Sequence, residues 1–244
     1  MLRTRNVLVT NLVGAVSGMG MYLALLSMTF LFQNPSPYGY GLNIATTGDA
    51  LVPLAVGMLV FSPIAGILVS RTGTKPLTVL GAVVTSIGFA FAIPPQPLVS
   101  LLVVEFVIGA GIAMLNAAVI NLLVLTVPPR DMGLATSMNS VFRNVGSSIG
   151  APISGAILAT WTAIAMVPAG GGFVPATVPA TVAFEWSFGV AVIAFAAAGV
   201  IVLFGREVLG PRAHGSRAEA ATPAAPTPAP LRPDPLAEPT LTSR

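Results

Sequence analysis

Two ionisable side chains of this sequence stand where water is scarce, and they are the residues best placed to do chemistry. Arg143 lies in the middle of MGLATSMNSVFRNVGSSIGAPISGAILA, residues 132–159, and Glu105 lies inside LVSLLVVEFVIGAGIAMLNAAVINLLVLTV, residues 98–127. A charge at the centre of a bilayer costs roughly 2.5–3.5 kcal/mol on insertion scales, so such a group faces a water-filled cavity or a partner. A guanidinium stays charged, so Arg143 does not itself carry a proton; it can bind an anionic group or favour the charged form of a nearby carboxylate. Glu105 is the acid within these runs that can take up and release a proton. Each has a plainer reading. Arg143 can snorkel to an interface or pair with a neighbouring helix to hold a bundle together, and Glu105 can be a hydrated or paired carboxylate near the outer interface. At ~1.5 Å per residue, Arg143 lies about 16 Å from Met132 and Glu105 about 10 Å from Leu98.

The residues around them fall at helical spacing. Thr136, Asn139, Ser140, Arg143, Gly146, Ser147, Gly150 and Ser154 share one face, with Met138, Phe142, Val145, Ile149 and Ile153 largely on the other. Gly109, Ile112 and Asn116 continue inward from Glu105 on its own face. Asn11, Gly14, Gly18 and Tyr22 line a face of an earlier run; Gly14 and Gly18 read as close helix packing, with Asn11 and Tyr22 as cavity residues. Gly146, Gly150, Pro152 and Gly155 form a small-residue and kink motif that suits a bending helix and static packing equally.

The elements that must position these groups follow from composition. Of the residues, 55% are hydrophobic and 8% charged, against about 25% charged in a soluble domain. Mean hydropathy is +0.88. So few charges cannot cover a water-soluble fold of this size, and the class is an integral membrane protein. The net charge of +3 does not indicate nucleic acid, because the basic residues sit singly at the ends of apolar runs. Cysteine is absent and the one histidine, His214, lies in a polar tail. With no metal-ligand spacing and no phosphate-cradling loop, neither an enzyme nor a metal or cofactor site is expected.

Six runs are long enough to cross about 30 Å of hydrocarbon: Val7–Phe32, Ala50–Val69, Leu77–Ile93, Leu98–Val127, Met132–Met166 and Val182–Phe204. Arg3, Arg5, Arg71, Lys75, Arg130 and the basic residues from Arg206 onward all fall on one side, whereas the alternate loops Gln33–Gly48, Pro94–Pro97 and Val167–Thr181 have no Lys or Arg. The positive-inside rule then puts both termini in the cytoplasm, with Trp161 and Trp186 at the outer interface. Ser62–Leu68, SPIAGIL, resembles Ala151–Ile157, APISGAI, and Gly18–Met21 resembles Gly109–Ile112, each pair about 90 residues apart. The expected fold is therefore an all-α membrane protein of six transmembrane helices, built as a 3+3 inverted repeat over residues 1–205. Residues 206–244, which include AATPAAPTPAP, are expected to be a disordered Pro/Ala-rich cytoplasmic tail.

The loop between the second and third spans carries a family likeness. Gly66, Leu68, Arg71, Gly73 and Lys75 match the signature G-x-L-a-D-R-x-G-R-K of the major facilitator superfamily, with Ser70 where that pattern has aspartate and Thr74 where it often has a basic residue. Gly146–Gly155 resembles the proline–glycine motif of drug/proton antiporters. Asn139, Arg143, Gly146 and Gly150, with Gly41-Leu42 and Leu51-Val-Pro53 upstream, look most like the fourteen-span multidrug-efflux branch. The resemblance implies a gating role for the loop of Gly66, Arg71, Gly73 and Lys75, with Ser70 withholding the acid of the usual charge pair. It also implies proton-coupled efflux of amphipathic organic compounds or drugs across the plasma membrane. Arg143, Glu105, Asn139, Asn116, Asn11 and Tyr22 would then line the substrate or proton pathway. A whole member has two six-span halves; these residues correspond to the C-terminal one, to be completed by a second half or a second copy. The other reading is a truncated or non-transporting membrane subunit with a packing or assembly role.

Overall fold

The computed structural model describes residues 5–169 and 172–205; the expected tail lies outside them. Seven α-helices and one hairpin follow in the order α1 (Arg5–Gln33), α2 (Ile44–Ala50), α3 (Val52–Thr72), α4 (Thr74–Ala92), α5 (Leu98–Thr126), α6 (Met132–Thr160), β1 (Thr162–Ala169), β2 (Gly172–Pro179) and α7 (Thr181–Leu203), with a 3-10 turn at Pro129–Asp131. Among the described residues five helical stretches are long and apolar enough to cross a membrane: Arg5–Gln33, Ile44–Thr72, Thr74–Ala92, Leu98–Thr126 and Thr181–Leu203. The remaining long helix, α6, matches them in length at 29 residues but carries too many polar side chains to match their apolarity.

Local chemistry sets the breaks. The Asn43 side chain caps α2 by accepting from the Thr46 N–H at 2.9 Å. Pro53 then occupies the first turn of α3, where its ring excludes a continuous helix through Asp49 and its missing N–H costs nothing. Gly73 alone joins α3 to α4, at φ 92° and ψ 169°. That backbone region is essentially reserved for glycine. Pro94-Pro95 and Pro128-Pro129 close α4 and α5.

Two expectations are corrected. The fold is not all-α: the segment read as the end of the fifth span and a following loop is an antiparallel hairpin, with Ala169 opposite Gly172 and Thr162 opposite Pro179. Accordingly α6 stops at Thr160, short of Met166. The second span also begins earlier than Ala50 and in two pieces, α2 and α3.

The long helices pack as a series, α6 on α1, α1 on α7, α7 on α4, α4 on α5 and α5 on α3, with α1 also touching α5. Phe89 of α4 stacks on Phe188 and Phe195 of α7, with ring centroids 6.2 and 5.7 Å apart, at the centre of the apolar core. At the ends of the series stand α3 and α6. In α3 only Gly57, Ala65 and Val69 are buried.

Candidate functional site

The α1–α6 seam is held by small residues and buried amides. A Cβ placed on Gly146 or Gly150 of α6 would fall on the carbonyls of Ala15 and Met19 of α1, and one on Gly14 or Gly18 of α1 would meet Asn139 and Arg143. Such contact is the way membrane helices approach without a hydrophobic driving force. Asn139 Nδ2 donates to the Thr10 carbonyl at 2.9 Å and lies 3.4 Å from Asn11 Oδ1, and Ser27 and Ser154 hydroxyls meet at 2.9 Å. Asn11 and Asn139 are thus brought together and buried between two helices. The motif Gly146, Gly150, Pro152 and Gly155 divides: the first two glycines pack, whereas Pro152 is exposed and nothing lies near Gly155. The packing expected of Gly155 is corrected accordingly.

Around α6 the side chains form three stripes at about 100° per residue. Ala135, Asn139, Gly146, Gly150, Ser154 and Leu158 are buried against the bundle. Leu134, Val141, Val145 and Ile149 form an exposed apolar stripe. The third stripe is polar or small and also exposed: Gly133, Ser137, Ser140, Asn144, Ser148 and Gly155. Half-buried Arg143 lies at the border between the buried and polar stripes. Sequence reasoning found Ser140 and Arg143 but missed Ser137, Asn144 and Ser148. On α3, Ser62, Gly66 and Ser70 recur every four residues on an exposed strip as well.

Glu105 occupies a different place. Its side chain is fully buried, and neither carboxyl oxygen has a hydrogen-bond partner among the described residues. It borders a cavity of about 100 Å³ walled by Met21, Met28, Leu54, Phe89 and Ile112. Pockets for organic ligands run to about 300–1,000 Å³, so this one suits a proton or a few waters. Glu105 and Arg143 form no ion pair with each other; the ion pair found among the described residues is Arg130–Asp131 at 3.5 Å. Asn116 is half-buried on the same helix and Tyr22 is exposed on α1. In the loop segment, Gly66 and Arg71 are exposed, Gly73 is buried at the helix junction and Lys75 is half-buried in the first turn of α4.

Five apolar helices of spanning length around a glycine-packed core define a multi-pass helical membrane protein. A profile of the Major Facilitator Superfamily matches residues 10–242, and the chain belongs to that family. It is 28% identical over 150 residues to Multidrug resistance protein Stp of Mycobacterium tuberculosis, a match covering 61% of this chain and 27% of that protein. Against Multidrug transporter protein MdtP of Bacillus subtilis it is 26% identical over 161 residues, covering 65% and 29% respectively. Multidrug resistance protein 3 of the same bacterium shares 27% over 125 residues, covering 48% and 24%. The chain thus matches about a quarter of the length of these curated relatives.

Proposed function

We propose that the chain builds one half of a proton-coupled exporter of amphipathic organic compounds in the plasma membrane, with α6 lining the pathway. The observation that carries this reading is the exposed polar stripe Ser137, Ser140, Asn144 and Ser148 beside Arg143. A bilayer offers such a face no hydrogen-bond partner, so it belongs against water or against a second half. With its apolar stripe turned to lipid, α6 is a corner helix and the sixth span. The facing half is a partner bundle or a second copy of the chain. Names of the multidrug relatives support organic compounds as the substrates.

Helix packing supports the 3+3 inverted repeat. Under a repeat that relates α1, α3 and α4 to α5, α6 and α7, the seam α1–α6 corresponds to α5–α3, and α1–α7 corresponds to α5–α4. With α4–α7, which the repeat maps onto itself, these are the long seams of the bundle. Gly18 faces α6 and Gly20 faces α7, while their counterparts Gly109 and Gly111 face α3 and α4. Arg71, Lys75 and Arg130 at the helix ends support a cytoplasmic location for both termini.

In this account Glu105 carries the proton, Arg143 meets the anionic or polar part of the substrate, and Asn116 and Tyr22 border the pathway. Asn11 and Asn139 hold its wall, while Gly66, Arg71, Gly73 and Lys75 form the cytoplasmic gating junction. The test is ethidium efflux from vesicles carrying the full chain, driven by a pH gradient. Glu105→Gln and Arg143→Ala should each remove most of the gradient-driven flux. Wild-type flux in both variants would sink the assigned roles.

A further inference from the structure

The hairpin between α6 and α7 is not used by this transport reading. Its two eight-residue strands, Thr162–Ala169 and Gly172–Pro179, extend roughly 27 Å at ~3.4 Å per residue. No Asp, Glu, Lys or Arg occurs between Trp161 and Phe184. The register puts Ile164 opposite Thr177, Met166 opposite Pro175 and Pro168 opposite Phe173 on one face. Ile164, Met166 and Phe173 are 72%, 58% and 69% exposed there. The other face carries the smaller side chains and includes buried Ala165 and Val178.

Three features identify what covers the exposed face. First, the helix that follows the hairpin carries an exposed apolar stripe, Val182, Trp186, Ile193 and Val200, which suits contact with lipid and reaches the hairpin base at Trp186. Second, Trp161 and Trp186 stack at that base with ring centroids 5.7 Å apart, and both remain partly exposed. Paired tryptophans at the end of a span mark the level of the headgroups. Third, proline cannot donate to a ladder, so Pro168, Pro175 and Pro179 occupy positions whose N–H would point outward, and the paired register gives all three that same parity. Proline thus removes three of the eight outward N–H groups of the hairpin, two of them on β2, which blunts its edges against strand addition, and the remaining ones, Ile164, Met166 and Phe173 among them, need the water and headgroup oxygens of an interface.

We propose that this hairpin is a membrane-interface anchor that lays its Ile164, Met166 and Phe173 face into the headgroup and upper acyl region of the leaflet on its side of the bundle. The anchor fixes the α6–α7 end relative to the bilayer, independently of whether the chain transports anything. Because the chain has no cysteine, single-thiol probes are unambiguous. Phe173→Cys and Ile164→Cys are each labelled with an environment-sensitive nitrobenzoxadiazole dye in the full chain in phosphatidylcholine nanodiscs. Ile193→Cys serves as the lipid reference and Ser36→Cys, exposed in the loop after α1, as the aqueous one. Shallow nitroxide lipid is expected to quench both hairpin probes at least twofold, as at Ile193, while aqueous iodide quenches them far less than at Ser36. Iodide quenching equal to that at Ser36 would put the hairpin in water and overturn the proposal. Protection from both quenchers would show a protein cover, a second copy or a partner, and would overturn it equally.

Discussion

Within α6, two glycines nine residues apart in one helix make opposite demands, which gives a matched pair of substitutions. At Gly146 a methyl group would be driven into the Ala15 carbonyl of α1, a backbone atom that cannot rotate away. The α1–α6 seam must then open, and overpacking of this kind costs about 1–3 kcal/mol. At Gly155 a methyl group meets nothing, so alanine acts through helix propensity alone and stabilises by up to about 1 kcal/mol. For a chain of this size 1 kcal/mol corresponds to roughly 2–4 °C in Tm. Thermal unfolding of the purified chain in one detergent, followed by tryptophan fluorescence and circular dichroism, should therefore show Gly146→Ala several degrees below wild type. Gly155→Ala should lie at or slightly above it. Equal shifts in the two variants, or a loss confined to Gly155→Ala, would refute the glycine seam as the contact that holds α6 to the bundle.

Other expectations follow from the same geometry. Gly73→Ala forces an L side chain to φ 92° and should lose about 1–3 kcal/mol, whereas Gly66→Ala, with open space at its Cβ, should not be destabilised; denaturation midpoints separate them. Asn139→Leu leaves the buried Asn11 amide without its acceptor-side contact, and Asn11→Leu with Asn139→Leu should recover part of the loss, with a coupling of about 0.6–1.7 kcal/mol in a double-mutant cycle. Burial raises the Tyr40 hydroxyl above its usual range, and that hydroxyl donates to the Gln96 carbonyl. The folded chain thus holds this proton more firmly than the unfolded one, so stability is level below about pH 10 and falls as pH rises beyond it; Tyr40→Phe should flatten that alkaline limb in a Tm–pH series.

How much of this was legible in the sequence differs by element. Hydropathy alone located α1, α4, α5 and α7 to within a few residues, because an uninterrupted apolar run has few alternatives to a spanning helix. The hairpin escaped because its strands are as apolar as the neighbouring helices, and the run from Trp161 reads as a span end. The signal that could have found it is Gly170-Gly171 between short runs containing Ile164, Val167, Val174 and Val178. On α6 the spacing grouped small with polar residues and assigned both to one cavity face. Packing separates them: Gly146 and Gly150 need a neighbouring backbone, while Ser140 stays open beside Asn144 and Ser148. Periodicity says which residues share a side of a helix, but not which side its neighbour takes. Glu105 was legible as deep, yet its separation from Arg143 was not, since that depends on α6 packing on α1 and α5 packing on α3 and α4.

The central claim, that the polar face of α6 borders an aqueous pathway, is open to direct measurement by single-cysteine accessibility. Ser137, Ser140, Asn144, Ser148, Val141, Val145 and Ile149 are replaced by cysteine one at a time in the full chain and exposed in membranes to a charged, lipid-insoluble methanethiosulfonate reagent. The account predicts reaction at 137, 140, 144 and 148, with protection at 141, 145 and 149. Uniform protection across all seven, or reaction on the valine and isoleucine side instead, would contradict it.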